Sequence, residues 1–101
     1  MVANLLEIKD INFYSGNEQY SFSIKGKVFA NKLVYLEINT GNLKAEMILP
    51  NKIDIKPHSI ISVMLRDYLG SVGFFTINEN GTIKIINNMK GNYVGNIVFA
   101  I

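Results

Sequence analysis

The chain has 101 residues, 49% hydrophobic and 18% charged, and ten Lys and Arg against eight Asp and Glu leave a net charge of +2. This length holds one domain, 1–101, and a composition rich in apolar residues is the opposite of a disordered chain. Scattered charges of so small a sum predict no nucleic-acid partner; the absence of cysteine excludes disulfides, thiolate metal sites and a cysteine nucleophile. No apolar run approaches the ~18 residues of a membrane span, so no membrane insertion is expected. The segment Met1 to Glu7 lacks the basic and long apolar stretches of a secretory leader.

Fifteen residues are Ile and eleven are Phe or Tyr, types that suit a pleated, half-buried surface, whereas Ala is scarce. No substantial helix is expected. In chain order, Leu5–Phe13 reads as a first strand and Ser15-Gly16-Asn17 as a turn. Tyr20–Ile24 alternates Tyr20, Phe22 and Ile24 against Ser21 and Ser23, the period of a strand, and Gly26 breaks or bulges it. Val28–Asn39 reads as one long strand, Thr40-Gly41-Asn42 as a turn and Leu43–Leu49 as a further strand. Residues 50–57 form the main loop, bounded by Pro50 and Pro57, neither of which can donate within a ladder. Ser59–Arg66 is a strand, and Asp67-Tyr68-Leu69-Gly70 connects it to the next.

Ser71–Asn78 and Thr82–Ile86 flank Asn80-Gly81, the strongest short-range hairpin signal in the chain. Asn87–Asn92 reads as a polar loop and Tyr93–Ile101 as the last strand. The sum is an all-β antiparallel sandwich or jelly roll of about eight strands.

Two strands are apolar on both faces. Tyr93–Ile101 carries Tyr93, Ile97, Phe99 and Ile101 on one face and Val94, Val98 and Ala100 on the other; Ser59–Arg66 sets Ile60 and Met64 against Ile61, Val63 and Leu65. A sheet with one wet face alternates cleanly, so a second apolar face implies a cover, either another subunit or a loop of the same chain. Val63, Val94, Val98 and Ala100 are the candidate oligomer-interface residues.

Catalytic chemistry is not nominated anywhere. His58 is the single histidine and reads as a solvated loop residue, because a zinc site needs three or four ligands and a Ser-His-Asp triad three convergent groups. No phosphate-binding or dinucleotide-binding glycine motif is present. The expectation is a protein that is not an enzyme and takes no cofactor and no metal. Binding residue types do occur at strand ends, where such residues concentrate. Arg66, Asp67 and Tyr68 leave one strand, and Asn92 and Tyr93 enter another; Tyr offers a stacking face, while Arg, Asp and Asn offer partners for hydroxyls. These five form the candidate saccharide site.

The order of short motifs from Gly26 to Ile101 carries a resemblance. They are Gly26-Lys27-Val28, Leu49-Pro50, Lys56-Pro57, Gly73-Phe74-Phe75-Thr76-Ile77, Asn80-Gly81-Thr82-Ile83-Lys84-Ile85, and a glycine-spaced end running from Gly91 through Gly95 to Phe99. This order resembles the C-terminal domains of tail-tip, baseplate and receptor-binding proteins from phages of Gram-positive bacteria. It departs from their pattern at Lys56, where the loop usually has arginine, and in lacking the Gly-Tyr that often precedes it. The resemblance implies a viral protein made in the host cytoplasm and carried at the tail tip of the virion. It further implies a compact β-sandwich or jelly roll, commonly a homotrimer, that serves host adhesion by binding cell-surface saccharide. The alternative is a free-standing or structural protein-interaction module of the same fold, such as a tail assembly component that binds another tail protein or an inhibitor of a host factor.

Overall fold

The structure, a computed structural model, describes residues 7–101. Seven strands follow one another: β1 (Ile8–Gly16), β2 (Ser21–Phe29), β3 (Leu33–Leu43), β4 (Ile61–Arg66), β5 (Val72–Ile77), β6 (Ile83–Ile85) and β7 (Met89–Ala100). All pair antiparallel in one sheet of order β1-β2-β3-β7-β4-β5-β6, curled into a half-barrel. The described residues contain no helix. The all-β expectation therefore holds at this level. The hydrogen-bonded network is a single curled sheet of seven strands, whereas the sequence reading expects about eight in a sandwich or jelly roll.

Two stretches read differently from their actual backbone: the first moves the boundary between two strands, and the second removes one strand from the count. Phe29–Lys32 is a tight hairpin turn inside the predicted strand Val28–Asn39. Its central residues Ala30 and Asn31 both have positive φ, 52° and 57°, and the Lys32 N–H donates to the Phe29 carbonyl at 3.0 Å. Two-residue hairpins need that geometry to match the strand twist. Downstream, β3 runs through Thr40 and Gly41 and ends past a bulge at Asn42 (φ 57°). Leu43–Leu49 then forms no regular strand. Instead it runs beside β6, with Glu46 N–H on the Ile85 carbonyl (2.8 Å) and Leu49 N–H on the Ile83 carbonyl (3.0 Å). Leu5 and Leu6 of the predicted first strand lie outside the described residues.

The predicted Asn80-Gly81 hairpin is present. Asn78 and Thr82 close it through the Asn78 N–H to Thr82 carbonyl bond (3.0 Å), and Gly81 takes the left-handed conformation at φ 89°. Gly81 has a second duty: a side chain there would collide with the Ile53 carbonyl, which the 44–60 segment brings against it.

The concave side of the curl is the core. Alternate residues point into it, among them Ile11 and Phe13 of β1, Phe22 and Ile24 of β2, Leu36 and Ile38 of β3, and Phe75 and Ile77 of β5. Three buried residues of the 44–60 segment, Leu49, Ile53 and Ile55, cover the open side. That segment is tied to β6 by backbone hydrogen bonds and to β1 by the exposed Lys9–Asp54 ion pair at 3.2 Å. The loop thus spans the two free edges of the sheet and gives the concave apolar side a lid from the same chain. The convex side receives no such cover from the described residues.

Candidate binding surfaces

The five residues of the predicted saccharide site separate into different environments. Arg66 ends β4 opposite Val94 and is exposed on the convex face. Tyr68 is 93% exposed at the tip of the β4–β5 hairpin. Asp67 is committed to the turn: its Oδ1 accepts the Leu69 N–H (3.0 Å) and the Ser71 N–H (2.7 Å). Asn92 is exposed opposite Gly41 and lines a shallow hollow with the β1–β2 turn. Tyr93 is only 6% exposed, and its carbonyl accepts the buried Thr40 hydroxyl at 3.2 Å. Its ring lies in the core and offers no stacking face. The reason is strand parity: β7 begins at Met89, so Tyr93 sits within a strand, on its inward side. The five residues therefore do not converge as one cluster of available side chains.

The predicted interface residues divide as well. Val63 is 1% exposed and belongs to the chain's own core, with no surface to offer a partner. Val94 and Val98, at 53% and 56% exposed, and the exposed Ala100 all face outward from β7. Among the outward residues of β4, Met64 is apolar, 43% exposed and paired with Phe74 of β5. Val72 stands across from Arg66, and the Ile86 N–H donates to the Phe74 carbonyl at 2.9 Å, which extends the stripe to the end of β6. Tyr68 and Leu69 at the hairpin tip add two more exposed hydrophobic residues.

The other half of the convex face, on β1, β2 and β3, is mostly polar, with Ile8 and Leu33 exposed at one end. The register sets Asn12, Lys25, Glu37 and Asn96 in one line across four strands. On the neighbouring line, Asp10 and Lys27 form an ion pair at 2.6 Å. The Tyr35 hydroxyl donates to Glu37 Oε1 at 2.7 Å. Side chains two residues apart on a strand are separated by roughly 7 Å, so this bond requires the Tyr35 ring to lean along β3, over the sheet.

The same bond holds the Tyr35 phenol above its ordinary pKa, through hydrogen bonding to Glu37, then desolvation, then the Glu37 charge. A raised phenol favours the neutral form in the folded chain. Its small contribution to stability is present below the ordinary phenol range and is lost as pH rises through the raised value. Glu37→Ala should return the Tyr35 transition toward the ordinary phenol range in an ultraviolet-difference titration. An unmoved transition would show that the bond does not persist in solution.

His58 is exposed, and among the described residues no three His, Cys, Asp or Glu side chains group as a metal site. Sequence reasoning did not nominate Tyr14, Tyr35 or Glu37. The signal that finds them is parity: Tyr35 and Glu37 alternate with the inward Val34, Leu36 and Ile38. No family model matches the chain, and no curated protein matches it in sequence.

Proposed function

We propose that the chain is a non-catalytic receptor-binding domain of the phage tail-tip or baseplate type, which recognises a host cell-surface saccharide as a homotrimer. The observation that supports this best is the division of the convex face. One half carries most of the exposed aliphatic residues and is uncovered, which suits contact with further copies; the other is polar apart from Ile8 and Leu33 at one end and carries Tyr14 and Tyr35, which suits a hydroxyl-rich ligand. The trimer number and the tail-tip location rest on the motif order from Gly26 to Ile101. The finer description as a jelly roll belongs to the same proposal. Single sugar contacts gain little over water, so repeated sites on one assembly would supply the strength through avidity.

A second reading, a tail assembly module or an inhibitor of a host factor, is favoured by the β4–β5 tip. There, Asp67 pins a turn that presents Tyr68 and Leu69 to solvent, as a preorganised protein contact would. An array of Gram-positive cell-envelope glycans separates the two. The receptor-binding reading expects the assembled protein to bind glycans without cleaving them. A chain that ignores every glycan yet forms a stable complex with a tail or host protein would decide for the second.

A further inference from the structure

We propose that the outer edge of β1 docks a second copy of this chain, which adds its own β1 antiparallel about a two-fold axis at Asn12. The proposal goes beyond the saccharide reading and does not depend on it. The two edges of the sheet differ. β6 is bonded along its outer side to the 44–49 segment. Between β1 and the covering loop, among the described residues, the one hydrogen bond or ion pair is Lys9–Asp54.

The backbone bonds flanking β1 fix which of its groups point outward. The Ala30 N–H donates to the Glu7 carbonyl (2.8 Å) and the Asn17 N–H to the Tyr20 carbonyl (3.0 Å), both in register with the β1–β2 pairing. Bonded and non-bonded pairs alternate along an antiparallel ladder, so the odd residues from Lys9 to Ser15 bond to β2. The N–H and C=O groups of Ile8, Asp10, Asn12, Tyr14 and Gly16 therefore face the open edge, and among the described residues none of them has a backbone partner. Such a row is a template for another strand, against which chains set bulges, proline or free charge. β1 has no bulge and no proline, and its two charges are paired within the chain, Lys9 with Asp54 at 3.2 Å and Asp10 with Lys27 at 2.6 Å.

The occupant follows from how β1 fits itself. Antiparallel pairing of the whole strand, Ile8 opposite Gly16, sets Asn12 against Asn12, Asp10 against Tyr14 and Lys9 against Ser15, so no like charges meet. On the inward side Ile11 meets Phe13 of the other copy. On the outward side Tyr14, 61% exposed, leans over Gly16, where a β-carbon would stand 2.8 Å from its ring carbon Cζ. The position opposite Gly16 is filled by Ile8 of the other copy, itself 54% exposed, so these two apolar side chains cover each other at both ends of the pair. The apolar stripe on β4, β5 and β7 lies beyond β2 and β3 in the sheet order, so both contacts can be made at once. Hydrogen bonds exchanged with water gain little each, and the edge contact accordingly forms above micromolar concentration, between assemblies already made.

Amide hydrogen exchange read residue by residue by NMR, from about 20 µM to about 1 mM protein, tests the pairing. The amides of Asp10, Asn12 and Tyr14 should exchange at least about fivefold more slowly at the upper concentration, while those of Lys9, Ile11 and Phe13 stay slow throughout. Asn12→Pro removes an outward donor and no bond to β2, so it should abolish the slowing with the melting temperature nearly unchanged. Asn12→Lys brings two like charges together at the axis and should abolish it as well. Exchange at the three outward amides that does not depend on concentration, or slowing that persists in Asn12→Pro, would overturn the proposal. Slowing lost in Asn12→Pro but kept in Asn12→Lys would show an edge open to other strands and overturn the two-fold pairing.

Discussion

Phe22→Ala should destabilise the fold by about 3–5 kcal/mol, the range for removing a fully buried aromatic side chain. Phe22 sits where the two walls of the curl meet. Its ring packs edge-on against Phe13 of β1 at 6.2 Å and against Phe75 of β5 at 5.0 Å, with interplanar angles of 83° and 87°. β2 and β5 lie far apart in the sheet order, so the Phe22–Phe75 contact crosses the core and helps to hold the curl closed. Truncation removes both ring pairs and leaves a cavity between strands that backbone hydrogen bonds keep in place. Against a typical total of 5–15 kcal/mol, the loss lowers the thermal midpoint by roughly 15 °C or more. Circular dichroism melting measures it. A drop of only a few degrees would mean that Phe22 does not bridge the walls.

Two adjacent residues of β4 should respond in opposite ways to the same substitution. Val63→Asp places an unpaired charge in the core, costs several kcal/mol and should leave the chain largely unfolded. Met64→Asp places the same charge on the convex face, where the single chain already meets water. The fold should survive with its melting behaviour little changed, while contact between copies is lost, because the carboxylate would be desolvated against Phe74 and Val94 of the apolar stripe.

This contrast also marks what the sequence could reveal. Apolarity on both faces of Ser59–Arg66 and Tyr93–Ile101 was legible, and it corresponds to the inward Val63 and Leu65 and the outward Met64, Val94 and Val98. Which face was the chain's own core was not legible, because Val, Ile and Met carry no sign of direction. The Asn80-Gly81 hairpin was readable because glycine tolerates the left-handed backbone the turn needs. The Ala30-Asn31 hairpin was hidden because alanine gives no such signal, although its φ is positive all the same. Leu43–Leu49 alternated like a strand because Leu43 and Leu49 are buried, but Glu46 at φ 64° breaks the extended backbone between them.

At the candidate site, Asp67 looked like a ligand contact because an aspartate before Tyr-Leu-Gly has the same composition whether it caps a turn or faces a ligand. Only the hydrogen bonds to Leu69 and Ser71 separate the two roles.

The claim on which the rest depends is that the apolar half of the convex face is covered by further copies of the chain. Light scattering coupled to size exclusion tests it directly. The wild-type protein should run at three times the 11.3 kDa of one chain at micromolar concentration, and Met64→Asp at one times that mass with its β-sheet circular dichroism intact. A wild-type mass of one chain across that range, with Met64→Asp indistinguishable from it, would contradict the claim.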